Sequence, residues 1–188
     1  MIFDSFLDVF RGKAVTIPPM DGPLRPNTAL DEAAVVRRAA EPDNLCFDGR
    51  QILYSSGSEV LALTGDAPLT IASYDSPVAA LAASAAGELA VALDDGRLMI
   101  GERELPAPGG LASPTALAFG DGDTLFLCQG SARHRASDWV VDLMERNATG
   151  SLWRLDLRGG NALCLAKDLA FPYGLLVESA GSLVVAES

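Results

Sequence analysis

Histidine is almost absent from this chain. His134 stands alone among 188 residues, so no imidazole pair and no histidine-based metal cluster can be assembled from it. Cysteine is equally sparse. Cys46, Cys128 and Cys164 are far apart, none forms a C-x-x-C pair, and each sits in an apolar run, which reads as three reduced, buried thiols. Long hydrophobic runs are missing too. The longest stretch without a charge is the 16 positions from Leu105 to Gly120, and Pro106, Pro108 and Pro114 break it, so no membrane-spanning helix fits. Basic charge is in deficit: 14 Lys+Arg stand against 25 Asp+Glu, a net charge of −11. That balance excludes nucleic acid, whose binding needs clustered Lys and Arg, and disfavours an anionic membrane surface. The dense basic cluster Arg133-His134-Arg135 is followed closely by Asp138 and Asp142. The first eight residues carry Asp4 and Asp8 where a secretory signal has basic residues, so the expected compartment is the cytoplasm. In that setting Asn147-Ala148-Thr149 is a chance match to a glycosylation acceptor. No G-x-S-x-G elbow, Gly-rich phosphate loop or zinc spacing occurs.

What is present is an ordinary globular balance, 49% hydrophobic and 21% charged, and a repeat. Four segments share a Pro, an apolar strand, a Gly-containing turn and a second apolar strand. They begin at Pro42, Pro77, Pro114 and Pro172 and turn at Gly49, Gly87, Gly122 and Gly181. The prolines are 35, 37 and 58 residues apart, the last interval lengthened by an insertion between Gln129 and Asn147. A third strand follows at 59–63, 97–100 and 151–155, and a more polar fourth at 69–71, 103–105 and 162–165. Four short strands per period in the high thirties are the signature of propeller blades. The predicted blades lie near 42–75, 76–111, 112–168 and 169–188, within a domain of residues 35–188 preceded by an arm, 1–34. The repeat breaks off at Val184-Val185-Ala186-Glu187-Ser188, partway through its fourth unit, which predicts that further C-terminal blades of the same protein complete the ring.

The flanks read differently. Phe3, Phe6, Leu7 and Phe10 fall at helical spacing, predicting a short helix over 2–11, and Pro18, Pro19, Pro23 and Pro26 mark an irregular arm over 12–27. Residues 28–40 admit two readings: a helix opened by Thr28-x-x-Asp31, or a strand through Val35-Val36. In the insertion, Trp139, Val140, Leu143 and Met144 share a helical face, predicting a short helix that caps one end of the domain.

The run Asn147-Ala148-Thr149-Gly150-Ser151-Leu152-Trp153-Arg154-Leu155-Asp156 resembles the TG-R/S-L-x-x-x-D strand of strictosidine synthase-like proteins. Leu169-Ala170-Phe171-Pro172-Tyr173-Gly174 through Leu183-Val184-Val185-Ala186-Glu187 resembles their L-x-F-P-N-G…L-L-V-A-E motif. The helix-bearing insertion and Glu41-Pro42-Asp43-Asn44 with Asp48-Gly49 are similar as well, so the likeness spans about 35–188. The resemblance extends to the wider superfamily of SMP-30/gluconolactonase-type lactonases and paraoxonases, and implies six blades. The fold expectation is therefore all-β: an incomplete six-bladed propeller of about three and a half four-stranded blades, with an N-terminal helix and a helical insertion in the third blade. The pattern departs from the calcium-dependent branches. Tyr173 stands where they carry a ligand Asn, and Pro114-Thr115 offers no amide at the third inner strand. Only Asp43 and Asn44 could hold a corner of a residual calcium site, two oxygen-bearing side chains for an ion that takes six to eight oxygens, so no cofactor is expected. The resemblance also places the catalytic glutamate of strictosidine synthase in a final blade, past Ser188.

In antiparallel blades the loop before the innermost strand and the loop between the second and third strands share one end of the sheet. That mouth gathers Asp43, Asn44, Ser55, Ser56, Asp94, Asp95, Thr115, His134, Asp138, Tyr173 and Glu187. Asp43, His134 and Glu187 are the acid/base candidates, and Asn44, Thr115, Asp138 and Tyr173 the substrate-binding ones. The resemblance implies a small-molecule substrate and a hydrolase of lactones or esters. Alternatives are an amine–aldehyde condensing enzyme of the strictosidine synthase type and a propeller that binds a ligand without catalysis.

Overall fold

The computed structural model describes residues 28–188, apart from 30, 66, 110 and 180. The helix expected over 2–11 and the arm over 12–27 lie outside these residues. The chain divides into two units, 1–38 and 39–188. In the first, the Thr28 carbonyl accepts from the Asp31 and Glu32 N–H groups at 3.0 and 3.2 Å. Residues 33–38 follow without regular structure, so the segment is a single turn rather than either the helix or the strand considered for it.

The second unit is all-β apart from one inserted helix. Its first sheet holds β1 (Pro42–Phe47), β2 (Ile52–Ser56), β3 (Glu59–Ala62) and β4 (Leu69–Ser73); its second holds β5 (Val78–Ala83), β6 (Leu89–Leu93), β7 (Leu98–Ile100) and β8 (Arg103–Leu105). The third contains β9 (Pro114–Phe119), β10 (Thr124–Gln129), β11 (Gly150–Asp156) and β12 (Ala162–Leu169), and β13 (Gly174–Val177) pairs with β14 (Leu183–Ala186). Every pairing is antiparallel between consecutive strands, and the innermost strands β1, β5, β9 and β13 lie side by side. This is a partial propeller: three four-stranded blades and a two-stranded hairpin. The four repeat glycines close the four inner hairpins with φ of +91°, +84°, +62° and +78°, backbone that a side chain would strain.

Blade 2 shows why the blades stack. It is covered on both faces, so its second strand, Leu89-Ala90-Val91-Ala92-Leu93, is apolar at every position. Val91 and Leu93 point toward Leu53, Val60 and Ala62 of blade 1. Ala90 and Ala92, with Ala80 and Ala82 of β5, point toward Leu117, Leu125, Leu127 and Leu155 of blade 3. Small residues on one sheet thus receive large ones from the next, the interdigitation that brings an interior to organic-crystal density. On the flanks the pattern reverses. Phe47 and Ile52, directly paired on blade 1, are exposed, as are Leu176 and Val184, directly paired on the hairpin. Of the three thiols only Cys128 is buried; Cys46 and Cys164 are partly accessible, because each lies on a flanking strand of its sheet with incomplete cover.

Candidate functional site

Because each blade runs as an antiparallel meander from the axis outward, its two ends are chemically different. Tight hairpins close one end. The other, the mouth, receives the β2–β3 and β6–β7 loops, the connections between blades and the segment 130–149 between β10 and β11. The residues expected at the mouth are therefore all on that side, but they do not form one cluster. Asp43 is exposed, and Asn44 donates from Nδ2 to Ser55 Oγ at 3.2 Å. Asp95 accepts the Arg97 N–H and guanidinium, and Arg97 also reaches Asp75 in the connection from β4 to β5. Those hydrogen bonds hold the Asp75 and Asp95 carboxyls below their ordinary value.

A second group joins blade 3 to the hairpin. Thr115 Oγ1 donates to the Pro172 carbonyl, Tyr173 N–H donates to the Ala186 carbonyl at 3.0 Å, and Ala170 N–H donates to Glu187 Oε2 at 2.7 Å. Thr115 and Glu187 thus spend a side-chain oxygen on backbone, whereas the Tyr173 side chain is exposed. Gly150 is part of the same corner. A Cβ there would press on the Pro172 ring and lie 2.7 and 2.8 Å from the Gly130 and Leu169 carbonyl oxygens. Phe171, buried beside it, takes a left-handed φ of +43°. The Gly and Phe-Pro positions of the two motifs are therefore packing requirements.

The inserted segment supplies the most ordered chemistry. A 3-10 turn at Ala136–Asp138 leads into helix α1, Trp139–Met144, with Asp138 exposed at the junction. The helix ends with Arg146 at φ +54°; Arg146 N–H reaches the Leu143 carbonyl and Asn147 N–H the Asp142 carbonyl, a Schellman closure that returns the chain to β11. The helix exists as expected, but its buried face is different. Trp139, Val140 and Met144 are exposed, whereas Asp142 is 0% exposed. Its Oδ1 accepts the Ser131 hydroxyl at 2.5 Å and, at a long 3.4 Å, the Asn147 amide, while Oδ2 is enclosed without a partner. Ser131, also fully buried, accepts the N–H groups of Arg133 and His134 at 3.0 and 3.1 Å. Thr149 Oγ1, 3.2 Å from Ser131 Oγ, accepts the Ala132 N–H.

On this frame His134 Nε2 lies 2.9 Å from Glu145 Oε2, and Asn147 Nδ2 donates to the same oxygen at 2.8 Å. His134, then Asn147, draws the Glu145 carboxyl below its ordinary range. An ionised carboxylate only accepts, so Nε2 carries the hydrogen of this contact. Sequence reasoning singled out His134 but not Glu145, Asp142 or Ser131. The pairing spans eleven residues across a loop, and no periodic pattern marks it.

Residues 116–188 match the family described as strictosidine synthase. The C-terminal part of this partial propeller is thus similar to that family. Among solved structures, the extracellular domain of a putative one-component system from B. thetaiotaomicron resembles it with a TM-score of 0.51 at 11% identity. The match covers 79% of this chain and 19% of that one, so the chain spans about a fifth of that neighbour's length; likeness at this identity shows the fold alone. No curated protein matches the sequence.

The family match covers the insertion and both motifs, so the His134–Glu145 pair lies inside the strictosidine synthase-like region. Asp43 and Asn44 are two oxygen-bearing side chains, and among the described residues no three His, Cys, Asp or Glu side chains converge. An open groove of about 870 Å³ lies on the axis toward the hairpin end, walled by Leu45, Phe47, Leu81, Leu117, Phe119 and Leu175. Cys46 lines it, but burial and then Asp48 push this thiol up to about 11, and burial pushes Cys128 up to about 12, so neither is a ready nucleophile. No described helix is long and apolar enough to cross a membrane.

Proposed function

We propose that this strictosidine synthase-like propeller is a small-molecule hydrolase of lactones or esters, with His134 as general base and Glu145 orienting it. The observation that carries the reading is the 2.9 Å contact between His134 Nε2 and Glu145 Oε2 on a loop at the mouth. It fixes the tautomer, leaves Nδ1 free to take a proton from water, and stabilises the imidazolium that results. The hydroxide equivalent adds to the substrate carbonyl. The tetrahedral intermediate then expels the alkoxide, which takes the proton back from His134, leaving carboxylic acid and alcohol. No step runs through a metal.

The test is a panel of γ- and δ-lactones and aryl esters assayed with the protein, His134→Gln and Glu145→Gln, each with and without EDTA. Hydrolysis that falls by about 10²–10⁴-fold in His134→Gln and does not change with EDTA supports the assignment. Absence of hydrolysis across the panel, or full activity in His134→Gln, overturns it.

A further inference from the structure

We infer that Asp142 is a positioning residue for His134, acting through Ser131. This rests on the reading of His134 and Glu145 as the acid–base pair. Two backbones must be held at a fixed separation for that pair to exist: the loop carrying His134 and the helix end carrying Glu145. Asp142 belongs to the helix, three residues before Glu145, and Ser131 to the loop, three residues before His134. The 2.5 Å bond between them is the one buried side-chain link from helix to loop among the described residues.

The donor arithmetic explains why an acceptor is needed at position 142. A serine hydroxyl has one hydrogen and two lone pairs. Asp142, an acceptor, takes the hydrogen, so both lone pairs of Ser131 are available for the Arg133 and His134 N–H groups. These bonds wrap the chain around Ser131 into a tight turn and set the direction in which the His134 side chain leaves it. Removing the carboxylate frees the hydroxyl to rotate, and the turn is no longer tied to the helix. Burial adds weight: Asp142 and Ser131 are both 0% exposed, so water cannot stand in freely for a lost partner.

The readout is the Glu145 carboxyl, which faces His134, Arg133 and Asn147 and is depressed chiefly by His134. Its titration is followed by carbon-13 NMR in the protein, Asp142→Ala, Asp142→Asn and Ser131→Ala, with thermal melts confirming that each is folded. In Asp142→Ala and Ser131→Ala the Glu145 midpoint should rise toward its ordinary value. In Asp142→Asn, whose amide keeps an acceptor oxygen for Ser131, it should stay depressed. On any ester the protein hydrolyses, kcat/KM should fall about 10²-fold in Asp142→Ala, the scale of an ångström's misplacement, and recover in Asp142→Asn. An unmoved Glu145 midpoint in whichever of Asp142→Ala and Ser131→Ala is folded, or a raised one in Asp142→Asn, overturns the inference. Because the titration needs no turnover, this outcome is separate from failure of the hydrolase reading.

Discussion

Replacing Leu127 with Ala should cost the protein about 3–5 kcal/mol. Leu127 is fully buried on β10, register-paired with Leu117 and Trp153, and it faces the alanines of blade 2. Truncation removes three carbons, about 2.4 kcal/mol at roughly 0.8 per methylene. A void term adds to this, because Ala80, Ala82, Ala90 and Ala92 have no side-chain length with which to fill the gap, and β6 is held in a ladder on both sides. For a chain of this size each kcal/mol lowers Tm by about 2–4 °C, so a fall of roughly 6–20 °C is expected. Urea unfolding followed by far-ultraviolet circular dichroism, paired with a thermal melt, measures both quantities. Met144→Ala, at an 80% exposed position, serves as the control and should stay within about 0.5 kcal/mol. A Leu127→Ala loss below about 1 kcal/mol, or one equal to the control, would mean that blades 2 and 3 do not interlock as described.

Two further outcomes follow from the corner and the clasp. Gly150→Ala should destabilise by about 2–3 kcal/mol, since its Cβ meets two backbone oxygens and a proline ring that cannot yield. Gly101→Ala meets open space and bears only the strain of φ +56°, about 1 kcal/mol; equal losses in the two variants would contradict the packing argument. The Asp75–Arg97–Asp95 clasp has a defined acid dependence. Both carboxyls are depressed below 3.8 when folded, so their contribution is complete above that value and is lost as pH falls through the folded-state range. The Tm difference between the protein and Asp75→Asn/Asp95→Asn should therefore shrink between pH 5 and about pH 2, and a difference constant with pH would refute it.

The blade framework was legible in the sequence because its determinants are local. Gly49, Gly87, Gly122 and Gly181 each have positive φ, and Asp-Gly or Gly a short distance after Pro marks an inner hairpin wherever it falls. Strand ends were less so. β12 continues to Leu169, four residues past the expected end, because its polar residues Lys167 and Asp168 face away from cover on the outermost strand and carry no apolar signal. Of the network around the His134–Glu145 contact, the sequence pattern marked only His134. Thr115 and Glu187 are the right kinds of residue at the right end, yet each has a side-chain oxygen bound to backbone, a contact set by tertiary approach. Hydropathy inverted the inserted helix, since an amphipathic reading buries Trp139 and exposes Asp142, and only the hydroxyl of Ser131, eleven residues upstream, reverses that preference.

That reversal separates attachment from appearance. What ties α1 to the loop beneath it is the bond from Ser131 to the Asp142 carboxylate, while the tryptophan, two valines and methionine on its outer side are 45–80% exposed. The rim can therefore change its outward character, from oily to charged, by substitutions that leave the anchor untouched. A scaffold wired this way can be retuned for different visitors at its entrance without disturbing the machinery a few ångströms below.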